Sequence, residues 1–110
     1  MSAQVTPIGD LNRRLVLEAP SESDDGAGGV TRLYDVVATL WAQVAPLPAR
    51  GDVAADSLGA IARYRIVVRR RDDITLRHRF IDGTRTYRIR AMSESADRRF
   101  LEIDAEVRED

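Results

Sequence analysis

The sequence predicts a mostly β protein, a small single-domain β-barrel or sandwich with long loops and a place for one short helix. Apolar and charged side chains alternate along residues 60–69, which is the period-2 pattern of a half-buried strand. An Asp-Gly signal at 82–83 separates two apolar segments and predicts a tight hairpin. With 110 residues, 44% hydrophobic and 32% charged, the chain suits one domain over 1–110 with a buried core and a solvated surface.

The first half of the chain predicts two strands and two long loops. A strand is expected near 13–18, followed by a mobile acidic and Gly-rich loop over 20–29. The apolar residues of 30–45 fit a helical stripe as well as a buried strand, and the enrichment in Val, Thr, Tyr and Trp favours the strand. Two prolines then begin a second mobile loop over 46–59, with a short helix near 53–58.

Trp41 is the single tryptophan of the chain. A lone tryptophan within an apolar segment is more often a core residue than a ligand platform. We therefore predict that Trp41 is a core anchor that fills the space between sheets.

The second half predicts four strands. The strand over 60–69 should have one solvated face, because its arginines lie on alternate positions. Strands over 77–81 and 86–92 flank the Asp-Gly turn, and a last strand covers about 99–107.

A register can be predicted for the hairpin of the last two strands. The expected cross-strand pairs are Met92 with Phe100, Arg90 with Glu102, Arg88 with Asp104 and Ile89 with Ile103. Opposite charges then meet on the solvated face and apolar side chains on the other, each pair contributing roughly 0.2–1 kcal/mol.

The charge of the chain is unevenly distributed. All 17 basic residues are arginine, which fits either a high-GC codon bias or selection for bidentate anion contacts. Residues 63–90 hold ten arginines against three acids, a balance of +7 that leaves −8 for the remainder of a chain with net charge −1. Such a module can contact copies of itself head to tail, which closes rings. The alternative is a nucleic-acid-binding β-barrel that uses the Arg-rich strand face, but aromatic stacking platforms are missing there.

No catalytic, cofactor or metal site is predicted, and we expect the chain not to be an enzyme. The absence of cysteine excludes disulfides, thiolate metal sites and cysteine nucleophiles. His78 lies between two arginines, which is unfavourable for a general base, and the pairs Asp24-Asp25 and Asp72-Asp73 lack the spacing of a calcium loop. Apolar runs fall far short of the ~20 residues of a membrane helix, so no membrane partner is expected.

Several segments occur in the order typical of one known family. They are Ile8-Gly9-Asp10-Leu11 with Arg13-Arg14, the acidic Gly-rich loop, Leu40-Trp41-Ala42-Gln43-Val44 before Pro46-Leu47, Tyr64-Arg65-Ile66-Val67-Val68-Arg69, and Ile74-Thr75 with Arg79-Phe80 and Tyr87-Arg88-Ile89. In this order the chain resembles the phage head-tail joining family of adaptors and stoppers, which includes the connectors of gene transfer agents.

The resemblance implies a virion structural protein, a stopper or adaptor-like connector of a phage, prophage or gene transfer agent, assembled in the host cytoplasm. Its partners would be its own copies in a ring, the portal-adaptor complex, and a tail terminator or tail tube protein, with DNA passing through the channel without specific binding. The candidate ring-interface residues are Arg63, Arg65, Arg69, Arg88 and Arg90. The candidate docking and gating residues, in the loop 46–59, are Arg50, Asp52 and Asp56.

Overall fold

Six antiparallel strands form a closed barrel in the computed structural model, which describes residues 11–24, 26–48 and 60–109. The strands are β1 (Arg13–Asp24), β2 (Val30–Pro46), β3 (Ala60–Arg69), β4 (Arg79–Asp82), β5 (Arg85–Glu94) and β6 (Phe100–Glu109). Around the barrel they follow the order β1-β2-β3-β6-β5-β4, and pairing of β1 with β4 closes it. The mostly β prediction is confirmed, as a barrel rather than a sandwich. The predicted helix at 53–58 lies outside the described residues.

The barrel interior is filled by apolar side chains from all six strands. They are Leu15, Leu17, Ala42, Ile66, Val68, Phe80, Tyr87, Ile89, Leu101, Ile103, Ala105 and Val107, with Ile74 from the β3–β4 loop. The ring of Tyr64 packs edge-on against that of Tyr87 at 5.4 Å. No polar or charged residue in the described part of the chain is buried, so the interior is an apolar core.

A second, smaller apolar cluster covers the outside of the barrel wall. Val67 points away from Ile66 and Val68 because side chains alternate along a strand, yet it is only 1% exposed. Leu11 and Phe100 pack over it. The outer face of β3 is therefore buried at Val67, although the sequence predicted a solvated face there.

The first hairpin is longer than predicted. β1 continues through Asp24, because residues 18–24 pair with residues 30–36 of β2, and the register shifts between Leu17 and Glu18. The predicted loop at 20–29 is therefore wrong for residues 20–24, and the prediction of a strand over 30–45 is confirmed. Pro20 is tolerated because β4 pairs with β1 only at residues 16–18, which leaves the outer edge of β1 without a ladder at that position.

The hairpin of β4 and β5 turns at the predicted Asp-Gly signal. Asp82 pairs with Arg85, and Gly83 has φ 62°, a left-handed conformation that glycine adopts without a Cβ clash. The strand predicted over 77–81 begins later, at Arg79. The preceding residues form a turn in which the His78 amide donates to the Thr75 carbonyl at 3.1 Å, and the Thr75 amide donates to His78 Nδ1 at 3.1 Å.

The predicted register of the last hairpin is wrong. Arg88 lies opposite Glu106 and Ile89 opposite Ala105, which is two residues away from the prediction. A bulge between Ile89 and Ala91 then shifts the remaining pairs, so that Met92 lies opposite Ile103. The offset of two residues keeps Arg88 and Ile89 on their expected faces, which is why the alternation in the sequence could not exclude it. Met92 lies three residues from its predicted partner, and it packs against the core.

Candidate assembly surface

The first hairpin extends beyond the barrel wall as a two-stranded ribbon. β3 pairs with β2 only over residues 42–46, and β4 pairs with β1 only over residues 16–18. Residues 18–24 and 30–36, called the arm below, pair with each other, and among them only Glu18 also pairs with another described strand, at Arg79 of β4. The described residues extend over 55 × 36 × 22 Å.

Large apolar side chains on the arm face solvent. Val30 and Val36 are each 65% exposed and Leu33 is 52% exposed. A free two-stranded ribbon is marginally stable in water, and exposed apolar side chains on such a ribbon are typical of a surface that contacts another molecule.

Arg79 joins the arm to the barrel. Its Nε donates to Glu18 Oε1 at 2.8 Å, and its guanidinium carbon lies 3.5 Å from the centroid of the Tyr34 ring. Both side chains of the ion pair are largely covered, at 31% exposure for Arg79 and 16% for Glu18. The contact combines a charge-assisted hydrogen bond with cation–π stacking, and it fixes the base of the arm.

Three of the five arginines predicted for the ring interface have carboxylate partners within the chain. Arg63 pairs with Asp104, Arg65 pairs with Glu102 at 3.1 Å, and Arg90 pairs with Glu106 at 3.1 Å. These pairs lie across neighbouring strands on the outer face of the barrel, where β6 carries the acids. They neutralise much of the basic face that the sequence predicts.

The other two predicted interface arginines remain available. Among the described residues, neither Arg69 nor Arg88 lies in an ion pair with a carboxylate. Both are exposed. They are the members of the predicted set that could contact a partner without first breaking an internal pair.

A groove of about 380 Å³ lies between the arm and the barrel. Its basic side chains are Arg32, Arg77, His78, Arg79 and Arg88, and Pro20, Tyr34, Leu76, Ile89 and Glu106 complete it. We call this groove the basic cleft. It has an excess of positive charge, because Glu106, the acid opposite Arg88, pairs with Arg90.

Trp41 is not the core anchor that the sequence predicts. Its side chain is 55% exposed, and the Arg14 guanidinium lies 5.4 Å from its ring centroid. The reason is strand parity, since Ala42 faces the core and its neighbour must face outward. Trp41 borders a second groove, of about 350 Å³, together with Arg69.

Among the described residues, three ion pairs involve the loop between β3 and β4, and in one of them Arg70 pairs with Asp72 at 3.1 Å. Arg70 Nε donates to Glu94 Oε2 at 2.7 Å and holds the pKa of that carboxyl below its ordinary value. Arg71 donates twice to Asp73, at 2.9 and 2.8 Å, and likewise lowers the pKa of Asp73. Asp72 and Asp73 are thus paired with the neighbouring Arg70 and Arg71.

Other predicted features lie elsewhere or outside the described residues. Arg50, Asp52 and Asp56 belong to the undescribed segment 49–59. Within the described ranges, no group of three or more His, Asp or Glu side chains is placed to hold a metal ion. The same ranges contain no helix that is long and apolar enough to span a bilayer.

The sequence did not single out the arm or its joint. The contact between Arg79 and Tyr34 links residues that are far apart in the chain, so no local pattern reveals it. The signal that could have indicated the arm is the length of the apolar segment after residue 30, which exceeds what a barrel wall of this size needs.

Comparison with known proteins agrees with this architecture. Residues 6–108 match the model of a family described as phage head completion protein. A chain in the structure of the virion of a native gene transfer agent particle is similar, with 28% identity and a TM-score of 0.67 over 88% of this chain and 94% of that chain. Protein SF1141 from Shigella flexneri 2a is similar at 26% identity and a TM-score of 0.69, over 94% of this chain and 96% of its own.

No curated protein matches the chain. The family model nevertheless spans nearly all of it, and a structural relative comes from a virion. The chain therefore belongs to the phage head completion protein family.

Proposed function

We propose that this head-tail structural protein is a stopper or adaptor-like connector. In this proposal its copies form a ring between the portal-adaptor complex and the tail of a phage, prophage or gene transfer agent particle. The observation that carries the proposal is the likeness, over 94% of the matched chain, to a component of a gene transfer agent virion. The ring would surround the DNA channel and meet a tail terminator or tail tube protein, after assembly in the host cytoplasm.

The charge distribution supports a channel wall more than a nucleic-acid-binding site. Three arginines of the basic face, Arg63, Arg65 and Arg90, are engaged by carboxylates of β6. An arginine in such a pair attracts phosphate weakly, because the adjacent acid repels it. Loose contact with phosphates suits a ring through which DNA must move, since binding strength grows with each phosphate neutralised.

The ring contact would use Arg69 and Arg88, the two predicted interface arginines that lack a carboxylate partner among the described residues. Reversing both to glutamate should weaken ring formation on the portal-adaptor complex, measured by native mass spectrometry. The loss should shrink as salt rises, because exposed charges are screened. Arg108→Glu, an exposed arginine outside the proposed contact, is the matched control. An unchanged ring in the double variant would exclude this contact.

The loop 46–59 would dock the ring on its neighbour in the particle, through Arg50, Asp52 and Asp56. Replacing residues 50–57 by a Gly/Ser linker of equal length should leave the barrel folded and abolish the joining of heads to tails. The circular dichroism spectrum reports the fold, and electron microscopy counts joined particles. Normal joining with the linker variant would refute the docking role.

A further inference from the structure

We propose that the basic cleft of one copy receives the arm tip of the next copy in the ring. In this contact Val30 packs against Leu76, and Asp24 pairs with Arg77 and Arg88. The inference rests on the proposed ring and specifies its partner surface, a second copy of this chain.

The cleft contains two arginines that have no acidic partner in the described part of the chain. Arg77 and Arg88 have no carboxylate partner among the residues that the structure describes, whereas the nearby Arg79 binds Glu18. Arg79 also lies directly opposite Arg88 on the neighbouring strand. Like charges in that position destabilise a sheet, and an incoming carboxylate would relieve the repulsion.

The cleft also presents an apolar contact point. Leu76 is 55% exposed at the turn that borders the cleft, next to Arg77 in the chain. An exposed leucine beside unmatched arginines favours a partner with an apolar side chain and a carboxylate close together.

The arm tip has that combination. Asp24 pairs with Val30 across the hairpin, and directly opposed residues of an antiparallel pair project from the same face. Val30 is 65% exposed, and one oxygen of Asp24 accepts the Gly26 amide at 3.0 Å. The tip therefore offers an apolar side chain and an oriented acid side by side, which is the complement of Leu76 and Arg77.

The contact must join different copies. The cleft includes Pro20 at the base of the arm, and Asp24 lies four residues farther along the same strand, about 13 Å at the usual rise per residue. Within one chain, Val30 is 65% exposed, Leu76 is 55% exposed and Asp24 forms no ion pair with Arg77 or Arg88, so the tip does not occupy its own cleft. A tip-to-base contact between copies is heterologous, and repetition of such a contact generates a ring when the rotation closes.

Cysteine cross-linking tests the contact, because the natural chain contains no cysteine. Two single-cysteine proteins, Val30→Cys and Leu76→Cys, are mixed, assembled on the portal-adaptor complex and oxidised. A Val30–Leu76 contact should give a disulfide-linked dimer of unlike chains, since a disulfide requires Cβ atoms about 4 Å apart. Leu33→Cys is the matched control, because Leu33 lies on the opposite face of the arm. It should give no dimer with Leu76→Cys.

A charge exchange tests the ion pair. Asp24→Arg and Arg77→Asp should each abolish the Val30–Leu76 cross-link at low salt when introduced alone. A Val30→Cys chain that carries Asp24→Arg is then mixed with a Leu76→Cys chain that carries Arg77→Asp. The cross-link should be restored, because the two charges have been exchanged.

The outcomes separate this inference from the function it rests on. Rings that form on the portal-adaptor complex without the Val30–Leu76 dimer, or with an equal Leu33–Leu76 dimer, would overturn the arm contact and leave the connector role intact. A wild-type chain that never joins the portal-adaptor complex would overturn both.

Discussion

Replacing Arg79 by alanine should detach the base of the arm from the barrel and lower the free energy of unfolding. The substitution removes the 2.8 Å hydrogen bond to Glu18 and the stack on Tyr34 together. It also leaves the carboxylate of Glu18 unpaired at 16% exposure, where water replaces the lost partner poorly.

The magnitude follows from these contacts. A hydrogen bond between charged groups contributes about 1.5–3 kcal/mol, and the 31% exposure of Arg79 favours the lower end. Stacking of a guanidinium on a tyrosine adds about 0.5–1 kcal/mol. The expected loss is about 2 kcal/mol, or about 8 °C in Tm for a domain of this size.

Urea unfolding followed by circular dichroism measures the loss. Arg79→Lys keeps the charge without the planar stack and should give an intermediate value. Arg32→Ala is the matched control on the arm, because its pair with Glu22 is 3.4 Å long and more than half exposed on both sides. That control should cost less than about 0.5 kcal/mol. Equal losses in Arg79→Ala and Arg32→Ala would refute the role of Arg79 as the joint.

Three further predictions concern the core, the β4–β5 turn and acid stability. Phe80→Ala should cost about 3–5 kcal/mol because its ring is fully buried, whereas Trp41→Ala should cost less than about 1 kcal/mol because its side chain is 55% exposed; similar losses in urea unfolding would contradict the assignment of core and surface. Gly83→Ala should lower the free energy of unfolding by about 1 kcal/mol through its φ of 62°, and an unchanged urea midpoint would argue against this turn geometry. Because Arg70 depresses the pKa of Glu94, their pair stabilises the fold above the ordinary value of 4.5 and loses this effect as pH falls through the depressed pKa. Wild type and Glu94→Gln should therefore differ at pH 7 and converge in acid, and a stability difference that widens below pH 4.5 would show the sign to be wrong.

The sequence predicted the elements that local patterns encode. Alternation of apolar and charged residues located β3, where Ile66 and Val68 face the core and Arg65 faces outward. The Asp-Gly signal correctly predicted the β4–β5 turn at Gly83, because a two-residue turn with positive φ favours glycine. Each of these signals lies within a few consecutive residues.

Features that depend on distant partners were not predictable in the same way. Trp41 is exposed because its neighbour Ala42 faces the core, and the apolar residues of β2 did not show which of the two alternating faces is buried. The pairing next to the turn starts three residues away from the prediction, so Arg88 has a different partner, and the bulge leaves Arg90 without a register partner. Both side chains are nevertheless exposed, as expected. The sequence therefore predicted arginines that face acids of the last strand, but not which residues form the pairs.

Cryo-electron microscopy of particles assembled from the same gene neighbourhood tests the central claim most directly. The account predicts a ring of six-stranded barrels at the head–tail junction, around the DNA channel, with each arm directed toward the neighbouring copy. Junctions that lack this barrel while heads and tails are joined, or barrels located elsewhere in the particle, would contradict the connector role.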